Sequence, residues 1–176
     1  PGDWVEGSAK IHYPGEGSGT AEARILFRLS ANGRVWVKEI SLTETEPVQP
    51  RWVRVACTQG KTDLKSAAGV LDAVGTAGAD LMLLTEYMAG GLNPEPVPGP
   101  SSQLMSEKAR KYGMYVAGGI VREEQNPHRL YNTALLFDRR GELVGSYDKL
   151  HPYSPEVNEE GITPGTAVPV FKTDFG

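Results

Sequence analysis

The chain has 176 residues, 39% of them hydrophobic, which is the composition of a globular protein with room for one ordinary domain. Its formal net charge of -4 excludes the basic surface that typifies nucleic-acid-binding proteins. No apolar run approaches the roughly 18 residues of a membrane span. We therefore expect neither nucleic acid nor a membrane as a partner.

Residues 1–46 have the pattern of an all-β segment. Two stretches of alternating apolar and polar residues, 23–30 and 33–44, meet at an Ala-Asn-Gly turn, which predicts a β-hairpin. Because two strands alone do not make a stable sheet, this hairpin is expected to need partner strands and to be the end of a larger unit. The proline-containing stretch 47–51 is predicted to be a linker.

From residue 52 onward, predicted strands and helices alternate. The predicted elements are a strand at 52–59, a helix at 62–79, a strand at 81–84, a helix at 101–113 and strands at 114–121, 131–137 and 142–148. Thr62 or Asp63 is expected to cap the first helix, and Gly141 to complete the last hairpin turn. The strand at 81–84 is continuously apolar, which predicts burial on both faces. This order of elements predicts an α/β fold.

Two charged residues follow predicted strands directly. Glu86 comes after the apolar strand at 81–84, and Lys149 comes after the strand at 142–148. The carboxyl ends of strands are where α/β sheets present catalytic groups, and a buried carboxylate is costly unless it is paired. The alternative for both residues is an ordinary solvated side chain.

Four stretches of residues 52–176 resemble a known family. They are VRVACTQ, ADLMLLTEY around Glu86, RLYNTALLFDRRGELVGSYDKLHPY around Lys149, and EGITPGTAVPVFKTDFG. Together they resemble the N-terminal half of the carbon-nitrogen hydrolases, the nitrilase superfamily. The chain departs from the pattern at Thr85, where many members have proline, and at Asp148, where many have arginine.

The resemblance implies half of an αββα sandwich and a Glu-Lys-Cys mechanism that cleaves a non-peptide amide or a nitrile without a cofactor. Glu86 would carry the proton, and Lys149 would stabilise the developing negative charge. A further glutamate beside these groups is expected to be Glu160, with Glu156 and Glu159 as alternatives. The expected partner is a small-molecule amide or nitrile, and the full-length protein is expected to be a homo-oligomer.

The nucleophile is not identified within these residues. In the family a cysteine follows a segment like Asp-Phe-Gly, which is where this chain ends, so we expect the 176 residues alone to be inactive and incompletely folded. Cys57, the single cysteine, lies in an apolar strand, where it is predicted to be buried and unreactive. One cysteine and three well-separated histidines do not suggest a metal site.

Residues 1–46 resemble the closing strands of carbohydrate-binding and galactose-binding-like modules. Trp4 and Trp36 could stack on a sugar, although a tryptophan in a sandwich strand more often lies in the core. The resemblance allows a second interpretation, in which the protein is a non-catalytic carbohydrate-binding protein with a decayed hydrolase domain.

Overall fold

The computed structural model describes residues 7–8, 36–43, 52–60 and 63–176, and the chain divides into two compact units, Pro1–Pro50 and Arg51–Gly176. In the first unit, residues 36–43 form no strand, and Trp36 is 70% exposed. The strand predicted across this stretch is therefore not formed at residues 36–43. The remaining residues of the predicted hairpin and all of the linker lie outside the described residues.

The second unit is an α/β structure, as the sequence predicts. The strands are β1 (Val55–Cys57), β2 (Leu81–Leu83), β3 (Pro94–Glu95), β4 (Tyr115–Gln125), β5 (His128–Phe137) and β6 (Leu143–Asp148). The helices are α1 (Leu64–Thr76), α2 (Pro100–Tyr112) and α3 (Ser154–Asn158). Two short elements, β3 and α3, have no counterpart in the sequence prediction. None of the helices among the described residues is long and apolar enough to cross a membrane.

The six strands form one mixed sheet in the order β1-β2-β4-β5-β6, with β3 pairing to the distal part of β4. The strands β1, β2 and β4 are parallel, because α1 and α2 carry the chain back between them. The last three strands are antiparallel neighbours joined by hairpins. The sheet therefore changes from parallel to antiparallel pairing at β4, which belongs to both parts.

The helix boundaries follow the local signals in the sequence. The side chain of Asp63 caps α1 by accepting a hydrogen bond of 2.7 Å from the backbone N–H of Ser66. Helix α2 begins at Pro100 and ends at Gly113, whose φ of 61° is the left-handed conformation that glycine adopts easily. The predicted cap of α1 is thus confirmed as Asp63, one of the two alternatives, and α2 ends within one residue of its predicted end.

The helices α1 and α2 cover one face of the sheet. The core between them contains fully buried side chains, among them Leu71, Met82, Met105, Met114 and Val116. Residues on the opposite face, such as Val55 and Leu83, are 53% and 39% exposed. The prediction that β2 is buried on both faces is wrong for this reason. Cys57, on the same side of edge strand β1 as Val55, is exposed as well, which contradicts its predicted burial.

The two long helices pack closely near the end of α1. The Tyr112 hydroxyl donates a hydrogen bond of 2.6 Å to Asp72, and its ring lies so close to Gly75 that a Cβ atom there would overlap it. By contrast, a Cβ atom at Gly69, in the same helix, would meet nothing within 4 Å. Only Gly75 is therefore required by the packing of α1 on α2.

These two glycines give a matched test of helix packing. We expect Gly75→Ala to lower the free energy of unfolding by about 1–3 kcal/mol, because the added methyl displaces the Tyr112 ring. Gly69→Ala is expected to raise it by about 0.5–1 kcal/mol, because alanine is the better helix former. Urea denaturation of the full-length protein measures both changes. Equal effects of the two substitutions would contradict the packing described for Gly75.

Candidate active site

Glu86 is brought to the sheet by the backbone that follows β2. The Thr85 carbonyl accepts a hydrogen bond of 3.1 Å from the backbone N–H of Gly119, and the Met88 N–H donates to the Gly119 carbonyl at 3.0 Å. A Cβ atom at position 119 would overlap the backbone of Glu86. Glycine in β4 therefore allows the main chain of Glu86 to lie directly against the sheet.

Lys149 is fixed at the end of β6 by its own backbone. Its N–H donates a hydrogen bond of 2.8 Å to the carbonyl of Asn132 in β5, and its carbonyl accepts one of 3.0 Å from the N–H of Gly165. Both main-chain groups of Lys149 are satisfied, so the starting point of its side chain is well defined.

The side chain of Lys149 joins Glu86 to a second carboxylate. The distance from Lys149 Nζ to Glu86 Oε1 is 2.8 Å, and that from Nζ to Glu156 Oε2 is 2.9 Å. Glu86 and Lys149, which are 63 positions apart in the sequence, are therefore in direct contact. An ammonium group between two carboxylates is the centre of the candidate site.

Of the three glutamates considered for the accessory position, Glu156 is the one that contacts Lys149. Glu156 is 1% exposed and lies in the third position of α3, from which its Oε2 accepts a hydrogen bond of 2.9 Å from the Tyr153 N–H. Glu160, the favoured choice from the sequence, forms no ion pair with Lys149 and has its Oε2 buried without a hydrogen-bond partner within the described residues. The sequence pattern did not reveal α3, and α3 is what directs Glu156 toward the lysine.

Two further residues of the site had no assigned role in the sequence analysis. Asn132 Nδ2 donates hydrogen bonds to Glu86 Oε1 at 2.8 Å and to Glu156 Oε1 at 2.7 Å. The hydroxyl of Tyr87 donates to Glu156 Oε1 at 2.9 Å. The one signal for Asn132 is a polar amide within the apolar strand YNTALLF, where burial requires hydrogen-bond partners.

With this geometry described, comparison with known proteins defines the family. A sequence model of the carbon-nitrogen hydrolases matches residues 29–176, which is most of the chain. The chain belongs to the carbon-nitrogen hydrolase family. The matched range begins before residue 52, the start that the sequence pattern predicts for the hydrolase part.

The carbon-nitrogen hydrolases most similar to this chain include amidases and nitrilases. The omega-amidase NIT2 of Danio rerio is 34% identical over 88 residues, 46% of this chain and 31% of that protein. The bifunctional nitrilase/nitrile hydratase NIT4B of Lupinus angustifolius is 36% identical over 80 residues, 46% of this chain and 22% of that protein. The crystal structure of Saccharomyces cerevisiae Nit3 aligns with a TM-score of 0.61 at 21% identity, over 69% of this chain and 52% of that one, which supports the fold. The chain thus spans about half or less of the length of each.

The charges of the site in this carbon-nitrogen hydrolase chain stabilise one another. The hydrogen bonds from Lys149 and Asn132 lower the pKa of Glu86. Burial opposes ionisation of Glu156, but hydrogen bonds, above all from Lys149, outweigh it and lower its pKa to about 2. Burial likewise disfavours the charged form of Lys149, yet its two carboxylate partners raise its pKa. At neutral pH all three groups are therefore charged.

None of the hydrogen bonds of this cluster involves Cys57, which is exposed on the edge strand β1. Within the described parts of the chain, no group of three or more His, Cys, Asp or Glu side chains is arranged to hold a metal ion. The chemical groups of the candidate site are therefore one lysine, its carboxylate partners and their hydrogen-bond donors.

The pairing of Glu156 with Lys149 predicts a pH-dependent contribution to stability. Glu156→Gln keeps the shape of the side chain and removes its charge, and we expect the free energy of unfolding at pH 7 to fall by about 2 kcal/mol. Because the pKa of Glu156 falls from its ordinary value of 4.5 to about 2 on folding, its charge stabilises the fold above pH 4.5, and this stabilisation is lost as the pH falls toward 2.

Urea denaturation of the full-length protein at pH 7, 4.5 and 3 measures this difference. The matched control is Glu159→Gln, at the exposed C-cap of the same helix, which is expected to change the free energy of unfolding by less than about 0.5 kcal/mol. A loss in Glu156→Gln that is as large at pH 3 as at pH 7 is incompatible with the ion pair as its cause.

Proposed function

We propose that the protein containing this chain hydrolyses a non-peptide amide or a nitrile, with Glu86 and Lys149 as two of the three groups of a Glu-Lys-Cys mechanism. The observation that carries the proposal is the Lys149 ammonium, held at 2.8 Å and 2.9 Å from two carboxylates at the end of a sheet. Membership of the carbon-nitrogen hydrolases supports this chemical class.

Lys149 is suited to stabilise negative charge on the substrate. An ammonium group has three N–H donors, and Glu86 and Glu156 account for two of them. The third has no acceptor among the described residues, so it can serve the oxygen or nitrogen that becomes negative when the nucleophile attacks an amide or nitrile carbon. Since the lysine is already charged and oriented, little reorganisation is needed during the reaction.

Glu86 is suited to carry the proton. Its Oε1 accepts hydrogen bonds from Lys149 and Asn132, whereas the described residues donate no hydrogen bond to its Oε2. The carboxylate can therefore accept a proton from the attacking thiol and later deliver it to the departing ammonia. Its side chain is 59% exposed in this structure, which leaves room for the nucleophile and the substrate.

Glu156 has a different role, because both of its oxygens are occupied. Oε1 accepts from Asn132 and Tyr87, and Oε2 accepts from Lys149 and the Tyr153 backbone. A buried, fully bonded carboxylate with a pKa of about 2 is a poor proton carrier. We therefore assign the accessory role to Glu156 rather than to Glu160, as the residue that holds Lys149 in its charged form.

The nucleophile is proposed to be a cysteine outside these 176 residues, since Cys57 is the only cysteine here and does not contact the cluster. The relatives include an omega-amidase and a nitrilase, so the proposal covers both amides and nitriles.

Two expectations from the sequence remain predictions. They are homo-oligomerisation of the full-length protein and carbohydrate binding by residues 1–46. Most of that segment lies outside the described residues.

Two substitutions test the roles of the charged pair. We expect Lys149→Ala and Glu86→Gln each to lower kcat/KM of the full-length protein at least about 10³-fold, because each removes a group that acts in the transition state. Lys111→Ala and Glu107→Gln, which alter exposed charges of helix α2, serve as matched controls and should retain parental activity. Release of ammonia from a panel of small aliphatic amides and nitriles measures the rates. Retained hydrolysis in Lys149→Ala would refute the mechanism, and an inactive parent protein would favour the non-catalytic interpretation.

Cys57 provides a separate test of the nucleophile. We expect Cys57→Ser in the full-length protein to retain kcat within about twofold, because its thiol is not part of the charged cluster. Inactivation of that variant by a thiol reagent would then identify a different cysteine as the nucleophile. Loss of activity in Cys57→Ser, at unchanged stability, would instead place Cys57 in the chemistry.

A further inference from the structure

A second polar network lies behind Lys149, on the face of the sheet that α1 and α2 cover. It consists of Arg122 in β4, Thr133 in β5 and Asp148 in β6, and we refer to it as the Arg122–Thr133–Asp148 network. The Thr133 hydroxyl donates a hydrogen bond of 2.6 Å to Asp148 Oδ1, and Arg122 Nη2 donates one of 2.9 Å to Asp148 Oδ2. Both oxygens of the Asp148 carboxylate are therefore held.

The members of this network are themselves restrained. Thr133 is completely buried, and the side chains of Arg122 and Asp148 are 17% and 26% exposed. The Arg122 guanidinium also lies 4.4 Å from the centre of the Tyr131 ring. A charged pair with so little solvent around it has few alternative arrangements, so it fixes the position of the strand that carries Asp148.

Asp148 is the residue immediately before Lys149. Successive side chains of a strand point to opposite faces, so the network holds β6 from behind while the Lys149 side chain extends toward Glu86 on the other face. The backbone of Gly165 packs against the same residue, since a Cβ atom at position 165 would overlap the carbonyl of Asp148. The backbone from which Lys149 departs is thus confined on two sides.

We propose that Asp148 and Arg122 are positioning residues for Lys149, which set the place of its ammonium group between Glu86 and Glu156 without contacting the substrate themselves. The proposal rests on the function proposed above for Lys149. A displacement of about 1 Å in a group that acts on the transition state can cost on the order of 10²-fold in rate. A network that fixes the strand preceding Lys149 would therefore preserve the rate of the reaction.

The kinetic test uses Asp148→Asn and Thr133→Val in the full-length protein. We expect Asp148→Asn to lower kcat by about 10- to 100-fold with KM within about twofold, because the lysine is misplaced while the substrate pocket is unchanged. Thr133→Val is nearly isosteric and removes the two hydrogen bonds of the hydroxyl, the one that it donates to Asp148 and the one that it accepts from Arg122 Nε. We therefore expect a loss of about 3- to 10-fold that Thr133→Ser largely recovers. Glu124→Gln is the matched control, since Glu124 pairs with the same guanidinium but is not adjacent to Lys149, and parental kcat is expected.

The second measurement does not depend on activity. Competitive acetylation of lysines, followed by mass spectrometry, reports how strongly each ammonium is paired. We expect Asp148→Asn to raise the labelling rate of Lys149 several-fold. Lys111, which pairs with Asp72 in the helix layer, should keep its parental labelling rate. A purely structural role for the network would raise both rates together, and that result overturns the proposal.

The outcomes separate this proposal from the proposed function. If the labelling rate of Lys149 is unchanged in Asp148→Asn, the positioning role is overturned whether or not amide hydrolysis is detected. If the parent enzyme is active, a parental kcat in Asp148→Asn overturns it as well. An inactive parent enzyme counts against the hydrolase function alone. If Asp148→Asn does not fold, Thr133→Val decides by the same two measurements.

Discussion

The pairing of one ammonium group with two carboxylates is the interaction on which the candidate site depends. Lys149 joins the end of β6 to Glu86, which follows β2, and to Glu156, which lies in α3. A charge removed from water is costly unless it is paired and hydrogen-bonded, so each of these groups needs the others. The ion pairs therefore define where three segments that are distant in sequence must meet.

The fold makes this meeting possible by combining two kinds of sheet. The parallel part places Glu86 at the carboxyl end of β2, and Gly119 in β4 lets its backbone approach the sheet. The antiparallel part places Asn132 beside Lys149, through the pairing of β5 with β6. Because β4 belongs to both parts, Glu86 and Lys149 are attached to one continuous sheet.

The two carboxylates on Lys149 differ in what their surroundings allow. Glu156 is buried and fully bonded, so it can hold the lysine but cannot readily exchange a proton. Glu86 is more than half exposed and keeps one oxygen without a donor among the described residues, which is what a proton carrier requires. The two glutamates are thus suited to the two different roles proposed for them, because they differ in burial and in the number of hydrogen bonds that they accept.

The sequence by itself indicated the α/β class, a cap of α1 at Thr62 or Asp63 and the end of α2 at Gly113, because caps and periodicity are local signals. Its motifs also indicated Glu86 and Lys149 as candidate site residues. It did not determine that Leu83 and Cys57 are exposed, since burial depends on which face the helices cover. It favoured Glu160 over Glu156 and assigned no role to Asn132. Only the tertiary structure places Glu156 and Asn132 beside Lys149. The orientation of α3 and the pairing of β5 with β6 bring together groups that no local sequence pattern relates.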